Sequence, residues 1–516
     1  MRRFRRFAAS SARSPPSTLG RNTVAQSAPS ILGYAFSFFL APLMLSKLGL
    51  RDFGIWALTG GIAQYGALLN LGAGQAASRF VALYEDDSTA VGEYLGVAYA
   101  ATLGVAIALI AGALLGANLV AQAVGGVTES QMRLLLLCSV VIMVSTMLAQ
   151  IVVAYPVGLR RMVPPNIALV VGACINFVAS GVALLVHPTL STYAMANAAA
   201  SVAGVVVTIV VVLSVEGRIP LRLPTRSRAK ELLGFSVWSQ VSVVAYLVNY
   251  QTDKIVIAFA VGPAAAGAYE LANRVAAAAR QVGVYTQSAL MPTMTADIVR
   301  GTGHKVTESY ARLTERTIGL AFPVLCFVAA MSAPILRVWL GHVPQFSAVV
   351  LTALCAAYVA NVATGVGYCL AFAFGDLKNI ARVSAATATG NIALTVLLAP
   401  LWGVWGVLAG TVVALTVGNL VQVAVVQKRF AIPASAFVDA VGPTLVACVG
   451  LAAPLAILAL TGALTSRWSA ALAVVAGGGA YFAVYLLWAA RNEVLPGSIA
   501  RRLGVLGRRP AELPSR

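Results

Sequence analysis

From residue 22 to residue 490 the chain is a near-continuous succession of mainly apolar windows, each about span length. Fourteen can be marked: 22–46, 53–78, 92–121, 133–157, 165–187, 191–215, 233–258, 264–292, 313–340, 346–373, 379–400, 402–427, 440–461 and 468–490. About twenty apolar residues carry a helix across a hydrocarbon core of ~30 Å. No water in that core can satisfy peptide N–H and C=O groups, so only helices and closed barrels cross it. Barrel strands would be segments of about ten residues with alternating polarity. These windows are longer and dominated by Ala, Val and Leu, so the chain reads as an all-α integral membrane protein with about 14 transmembrane helices. Only 10% of its residues are charged, against about 25% in soluble domains. The windows 53–78 and 264–292 are polar for spans, and the border between the eleventh and twelfth falls at Pro400.

A net charge of +19 would suggest nucleic acid as a partner, but the placement of the charges argues otherwise. With the N-terminus inside, 28 of the 36 Lys and Arg residues fall in inner segments. Five lie in outer loops (Lys47, Arg51, Arg133, Arg337, Arg467) and three in spans (Lys254, Arg274, Arg280). This is the positive-inside pattern. It predicts a multi-pass protein with both termini cytoplasmic and no nucleic-acid partner. Residues 1–19 read as an uncleaved basic cytoplasmic tail, because a full-length span follows them; residues 491–516 form a second basic tail. Six cysteines sit singly in apolar runs and three histidines are scattered, so neither disulfides nor a metal site is expected. The cluster Glu85-Asp86-Asp87 reads as a solvated loop.

The longest central connection, EGRIPLRLPTRSRAKE at 216–231, holds two prolines and five basic residues. It suits a cytoplasmic linker between an N-lobe at 20–215 (six spans) and a C-lobe at 232–430 (six spans), with two further spans at 431–490. Arg226, Arg228 and Lys230 read there as charges facing the membrane surface. A repeat crosses this linker. Gly49-Leu-Arg-Asp-Phe-Gly-Ile-Trp-Ala-Leu58 matches Gly262-Pro-Ala-Ala-Ala-Gly-Ala-Tyr-Glu-Leu271 at an offset of 213. A second echo pairs Gly158-Leu-Arg-Arg and downstream Asn176 with Gly375-Asp-Leu-Lys and downstream Asn391, the spacing differing by two. Parallel repeats of this kind are a transporter design with the site between the repeats.

The window 264–292 carries Glu270, Asn273, Arg274, Gln281 and Tyr285 along one helical face, with Arg280 near mid-helix. A charge at the bilayer centre costs at least about 2.5–3.5 kcal/mol, so this face should meet a polar interior. Repeat-related windows bear similar stripes. The first has Arg21 at its inner mouth, then Asn22, Gln26, Ser30, Tyr34 and Ser37. The seventh has Ser239, Ser242, Tyr246, Asn249 and Asp253, and the second has Gln64, Gln75, Ser78 and Arg79. Together they predict the walls of a polar cavity; the alternative is that they bridge packed helices. Glu270 and Arg274, four residues apart, either neutralise one another or serve the cavity. Asp253 with Lys254 is either hydrated at the interface or part of the site. Arg280 has no acid within helical reach and is the first candidate for an anionic substrate group. Arg79 is a gate residue or an interfacial arginine. Arg21 could greet an anionic head group. No phosphate-binding lysine loop, zinc HExxH motif or nucleophile elbow occurs, and the short, acid-poor outer loops argue against a membrane glycosyltransferase or polymerase, so no enzyme is expected.

The stretch LSKLGLRDFGIWALTGGIAQYGALLNLGAGQAASRFVALY resembles the first-repeat signature of polysaccharide and O-antigen flippases. They belong to the multidrug/oligosaccharidyl-lipid/polysaccharide exporter superfamily. LLGFSVWSQVSVVAYLVNYQTDKIVIAFAVGPAAAGAYELANRV, Leu290-Met-Pro292 and LRVWLG at 336–341 look like that family's second half, so the similarity runs from about residue 20 to 430. It implies a V-shaped bundle of two six-helix lobes working by alternating access in a bacterial inner membrane. The implied cargo is an undecaprenyl-pyrophosphate-linked oligosaccharide moved to the periplasmic leaflet for O-antigen, lipopolysaccharide, exopolysaccharide or capsule synthesis. Membrane lipids and polysaccharide polymerase or glycosyltransferases are its implied partners. Proton or sodium coupling would fall to Asp253 and Glu270, with no cofactor. Arg280, Arg274, Arg79 and Arg21 are the candidates for the pyrophosphate, with Gln281, Asn273, Tyr246 and Asn249 beside them. The alternatives are a drug/cation antiporter of the same superfamily and a peptidoglycan-precursor flippase. The antiporter usually needs a carboxylate in the first lobe, and none occurs between Met1 and Leu50.

Overall fold

The computed structural model describes residues 16–66, 68, 72–300, 303–374, 377–492 and 494. Side chains at 16–27, 233–243, 288–305, 372–373 and 377 lie outside the description. The described residues form fifteen helices and no strand. In order these are α1 (Pro16–Gly66), α2 (Ala73–Leu83), α3 (Ser88–Val124), α4 (Glu129–Gly158), α5 (Val163–Val186), α6 (Leu190–Glu216), α7 (Arg226–Ala260) and α8 (Pro263–Arg300). There follow α9 (Gly303–Ala330), α10 (Ser332–Leu340), α11 (Ser347–Ala373), α12 (Leu377–Trp402), α13 (Val404–Phe430), α14 (Ala434–Leu460) and α15 (Arg467–Arg491).

Eleven stretches among these helices are long and apolar enough to cross a membrane. The first of them, Ala28–Gly66, carries two sequence windows joined through Gly49, whose φ of 83° breaks the helical path. Only glycine takes that conformation cheaply. With α7 (35 residues) and α8 (38 residues), which are long enough to span and carry the charges, the set reaches the fourteen windows. Three window borders shift. The window 53–78 is not one helix: α1 ends at Gly66, and α2 starts after Gly72, a left-handed residue. The window 313–340 breaks at Met331 into α9 and α10. Pro400 stays inside α12, and the chain reverses at Gly403 (φ 58°) instead. Four helix starts, those of α3, α4, α6 and α15, carry side-chain caps from Asp87, Thr128, Thr189 and Ser466. Asp87 accepts from the Thr89 and Ala90 N–H groups, which gives one member of the Glu85-Asp86-Asp87 cluster a local structural task.

The chain forms two compact units, Met1–Gly267 and Ala268–Arg516. In the first, α5 lies on α6 with Gly172 and Gly204 face to face, each Cβ position within 3.3 Å of the other's Cα. Asn176 on α5 accepts from Ser180 at 3.4 Å and donates to Ser201 on α6 at 3.5 Å. In the second unit Asn391 on α12 accepts from Thr395 at 3.2 Å and from Thr411 on α13 at 3.1 Å. Asn176-x3-Ser180 and Asn391-x3-Thr395 are thus the same device: an asparagine with a hydroxyl four residues on, tying two consecutive spans together. The echo seen in the sequence has a structural purpose.

The other repeat also acquires a role. Gly49 and Gly262 both hold positive φ (83° and 127°) at helix junctions. Five residues further on, Gly54 and Gly267 lie against each other. A Cβ at Gly267 would sit 2.6 Å from the Leu50 carbonyl oxygen and 3.1 Å from the Gly54 nitrogen, and a Cβ at Gly54 would collide with the Pro263 carbonyl. Small residues let two backbones meet where no hydrophobic force drives helices together.

The connection 216–231 belongs to the first unit and is bound along α3. The Arg222 N–H donates to the Gly92 carbonyl at 3.1 Å, and a Cβ at Gly96 would collide with the Arg222 carbonyl. Arg228, read from the sequence as a charge at the membrane surface, also has protein partners. It is 3.3 Å from Glu93 and 3.6 Å from Glu231, donates to the Tyr94 hydroxyl at 2.9 Å, and lies 5.0 Å from the ring centroids of both Tyr84 and Tyr94. Arg226 and Lys230 remain exposed.

The glycine crossing is directly testable. Gly54→Ala forces a backbone shift, and overpacking of this kind typically costs about 1–3 kcal/mol. Thermal unfolding in detergent should show a clearly lowered midpoint for Gly54→Ala. Gly33→Ala, whose Cβ meets open space, should leave the midpoint unchanged.

Candidate functional site

The charge-bearing helix α8 lies mostly in the second unit, and Arg280 is near its middle. Arg280 is 6% exposed. One guanidinium nitrogen donates to Asn361 Oδ1 on α11 at 3.3 Å, and the guanidinium carbon lies 5.2 Å from the Tyr358 ring centroid, a cation–π distance. The Tyr358 hydroxyl returns to α8, donating to Asn273 Oδ1 at 3.1 Å. Asn361 in turn donates to Asn419 Oδ1 on α13 at 3.3 Å, and Thr364 donates to the same oxygen at 3.0 Å. Asn419 donates to the Leu415 carbonyl at 2.7 Å, and Gln287 donates to the Val362 carbonyl at 3.0 Å. A guanidinium taken out of water needs such donors and acceptors around it. Here they come from three helices.

Nearer the start of α8, Arg274 donates to Glu270 at 3.2 Å, with Glu270 buried and Arg274 partly exposed. The mutual neutralisation raised by their spacing is realised. Gln281 is half-buried on the same helix.

The first unit holds a separate cluster. Asp253 and Lys254 on α7 are both buried, which overturns the hydrated, interfacial alternative for this pair. Gly61 on α1 makes room for them, since a Cβ there would lie 2.9 Å from Lys254 Cε. Tyr65, one turn along α1, shares a short hydrogen bond with Thr252 and reaches the Leu247 carbonyl at 3.4 Å. Asn249 is buried, while Tyr246 is 44% exposed and stacks at a tilt on Tyr250, 4.8 Å between centroids. Arg79 is half-buried on α2. The side chains of Arg21, Asn22, Gln26, Ser239, Ser242 and Ser288 lie outside the described residues.

Sequence reasoning missed Tyr358, Asn361, Thr364 and Asn419, and in the first unit Tyr65 and Thr252. The α11 trio was findable. Its members recur every third residue in an otherwise apolar span, the same helical-face signal that singled out α8. Asn419 was findable in the same way, since Thr416, Asn419 and Gln422 recur every third residue on α13. No group of three His, Cys, Asp or Glu side chains able to hold a metal occurs among the described residues.

A family model described as polysaccharide biosynthesis protein matches residues 19–296, more than half of the chain. Comparison with curated proteins finds no match. Among solved structures, the fold is similar to the lipid II flippase MurJ in an inward closed conformation. The TM-score is 0.68 at 14% identity, over 92% of this chain and 99% of that one. It is also similar to an inward-facing multidrug resistance MATE family transporter of the MOP superfamily: TM-score 0.59, 16% identity, 79% of this chain and 94% of that one. The MATE multidrug transporter DinF-BH in complex with R6G gives 0.59 at 14% identity, over 81% and 96%. At these identities the likeness is one of fold.

Removing the acceptor at the end of the Arg280 network should loosen it. Asn419→Leu strands the Asn361 and Thr364 donors. Side-chain hydrogen bonds between spans are worth about 0.6 kcal/mol on average and up to about 1.7, so thermal unfolding should show a loss in that range. Asn419→Gln should recover part of it.

Proposed function

The chain belongs to the polysaccharide biosynthesis protein family of the multidrug/oligosaccharidyl-lipid/polysaccharide exporter superfamily, and on that premise we propose that it is a flippase for an undecaprenyl-pyrophosphate-linked oligosaccharide. Two six-helix lobes, 20–215 and 232–430, would alternate access and carry the head group from the cytoplasmic to the periplasmic leaflet of a bacterial inner membrane. Its products would feed O-antigen, exopolysaccharide or capsule synthesis beside a polysaccharide polymerase and glycosyltransferases.

The observation that carries this reading is the state of Arg280. It is a buried guanidinium, and two of its contacts, Asn361 and Tyr358, are neutral groups that a diphosphate can displace with gain. The planar fork of an arginine suits paired phosphate oxygens. Arg274 already faces a carboxylate and comes second. Arg79 and Arg21 would act nearer the inner mouth, and Gln281, Asn273, Tyr246 and Asn249 would contact the sugar or the polar wall. The buried carboxylates Asp253 and Glu270 are the groups that a proton or sodium gradient could load. The antiporter reading lacks its usual first-lobe carboxylate, since no Asp or Glu occurs between Met1 and Leu50, and the family match at 19–296 favours the polysaccharide reading.

Arg280→Ala should lower translocation of lipid-linked oligosaccharide in proteoliposomes by about 10- to 100-fold, the range given by ~1.5–3 kcal/mol for a hydrogen bond to a charged group. Arg280→Lys should fall between, and the unfolding midpoints of both variants should show folded protein. Full complementation of a flippase-deficient strain by Arg280→Ala would sink the role given to it. In the same assay Asp253→Asn should remove the dependence of transport on the ion gradient while slower, gradient-independent exchange persists.

A further inference from the structure

The helices α12 and α13 are held together along their length. Asn391 binds Thr395 and Thr411, a Cβ at Gly410 would lie 3.0 Å from the Thr395 nitrogen, and a Cβ at Gly418 would collide with the Thr387 side chain. Beside this seam one face of the pair opens into a groove of about 410 Å³. Its α12 wall is Arg382, Ala386, Gly390 and Leu394, every fourth residue, and Val417 and Val421 stand opposite on α13. Gly390 faces open space. Val417 and Val421 are about half exposed.

The polarity of this groove is one-sided. All of its lining is apolar or small except Thr387 and Arg382, and Arg382, at one end, is exposed. Lys378 is one turn before Arg382, and Lys428 and Arg429 close α13 at the same end. No Asp or Glu occurs between Leu377 and Phe430. From Arg382 to Leu394 a helix rises roughly 18 Å, a little over half of a ~30 Å hydrocarbon core. The groove therefore has the length of one leaflet, with its basic end where that leaflet's head groups lie.

We propose that this face of the α12–α13 pair is a binding site for an anionic glycerophospholipid, its acyl chain in the groove and its phosphate on Arg382. Lipid tails are as apolar as the valines they touch, so the chain alone confers no preference. Selection comes from the head group: each basic side chain near an anionic head group contributes ~1 kcal/mol, about fivefold in retention. The single-leaflet length argues for a phospholipid over a polyprenyl chain.

The full-length protein in mild detergent is titrated with phosphatidylglycerol or with phosphatidylcholine of the same acyl chains, and retained lipid is counted by native mass spectrometry. The proposal expects the unmodified protein to keep phosphatidylglycerol about fivefold better than phosphatidylcholine. Arg382→Gln should abolish that preference, and Gly390→Leu, which fills the groove without a clash, should lose one retained lipid. Equal retention of the two lipids by the unmodified protein overturns the site, as does an unchanged preference in both variants. Displacement of phosphatidylglycerol by polyprenyl phosphate at equal concentration would assign the groove to a polyprenyl chain instead. None of these readouts depends on transport.

Discussion

In hydrocarbon a side chain keeps its charge only if protein atoms replace the water it has left. Much of this fold can be traced to that requirement. Arg280 draws Asn361 and Tyr358 toward α8, and Asn361 in turn recruits Asn419, so a single guanidinium organises groups from three helices. Glu270 and Arg274 meet the requirement on one helix, four residues apart. Asp253 and Lys254 are both buried in the first unit, and α1 accommodates the lysine with a glycine.

A second consequence of the lipid solvent is that helices gain nothing by hiding apolar faces from one another. Close approach and hydrogen bonds have to hold them. Gly172 against Gly204 and Gly54 against Gly267 supply the approach. Asn176 with Ser201, and Asn391 with Thr411, supply the bonds. Each half uses the same device, an asparagine with a hydroxyl four residues on. Outside the apolar windows the balance changes. Arg228, near the start of α7, finds two carboxylates and two tyrosines, and the connection before it lies along Gly92 and Gly96 instead of looping free.

Length and apolar content alone gave the helical class and the windows, because both belong to a single segment meeting a bilayer of fixed thickness. Helical periodicity placed Glu270, Asn273, Arg274 and Gln281 on one face and put Glu270 within reach of Arg274, because an i, i+4 contact is fixed by one helix. The repeat marked Gly49 and Gly262 as matching positions, and both hold positive φ, a local property. What lay beyond a single helix was decided only by the tertiary structure. Tyr358 came to lie over Arg280, Asn419 entered its network, Arg228 was paired with Glu93, and Asp253 was buried instead of hydrated. Each of those outcomes depends on the rotation and depth of one helix against another. These are set by the close packing of many side chains at once, and a linear pattern of residues does not carry them.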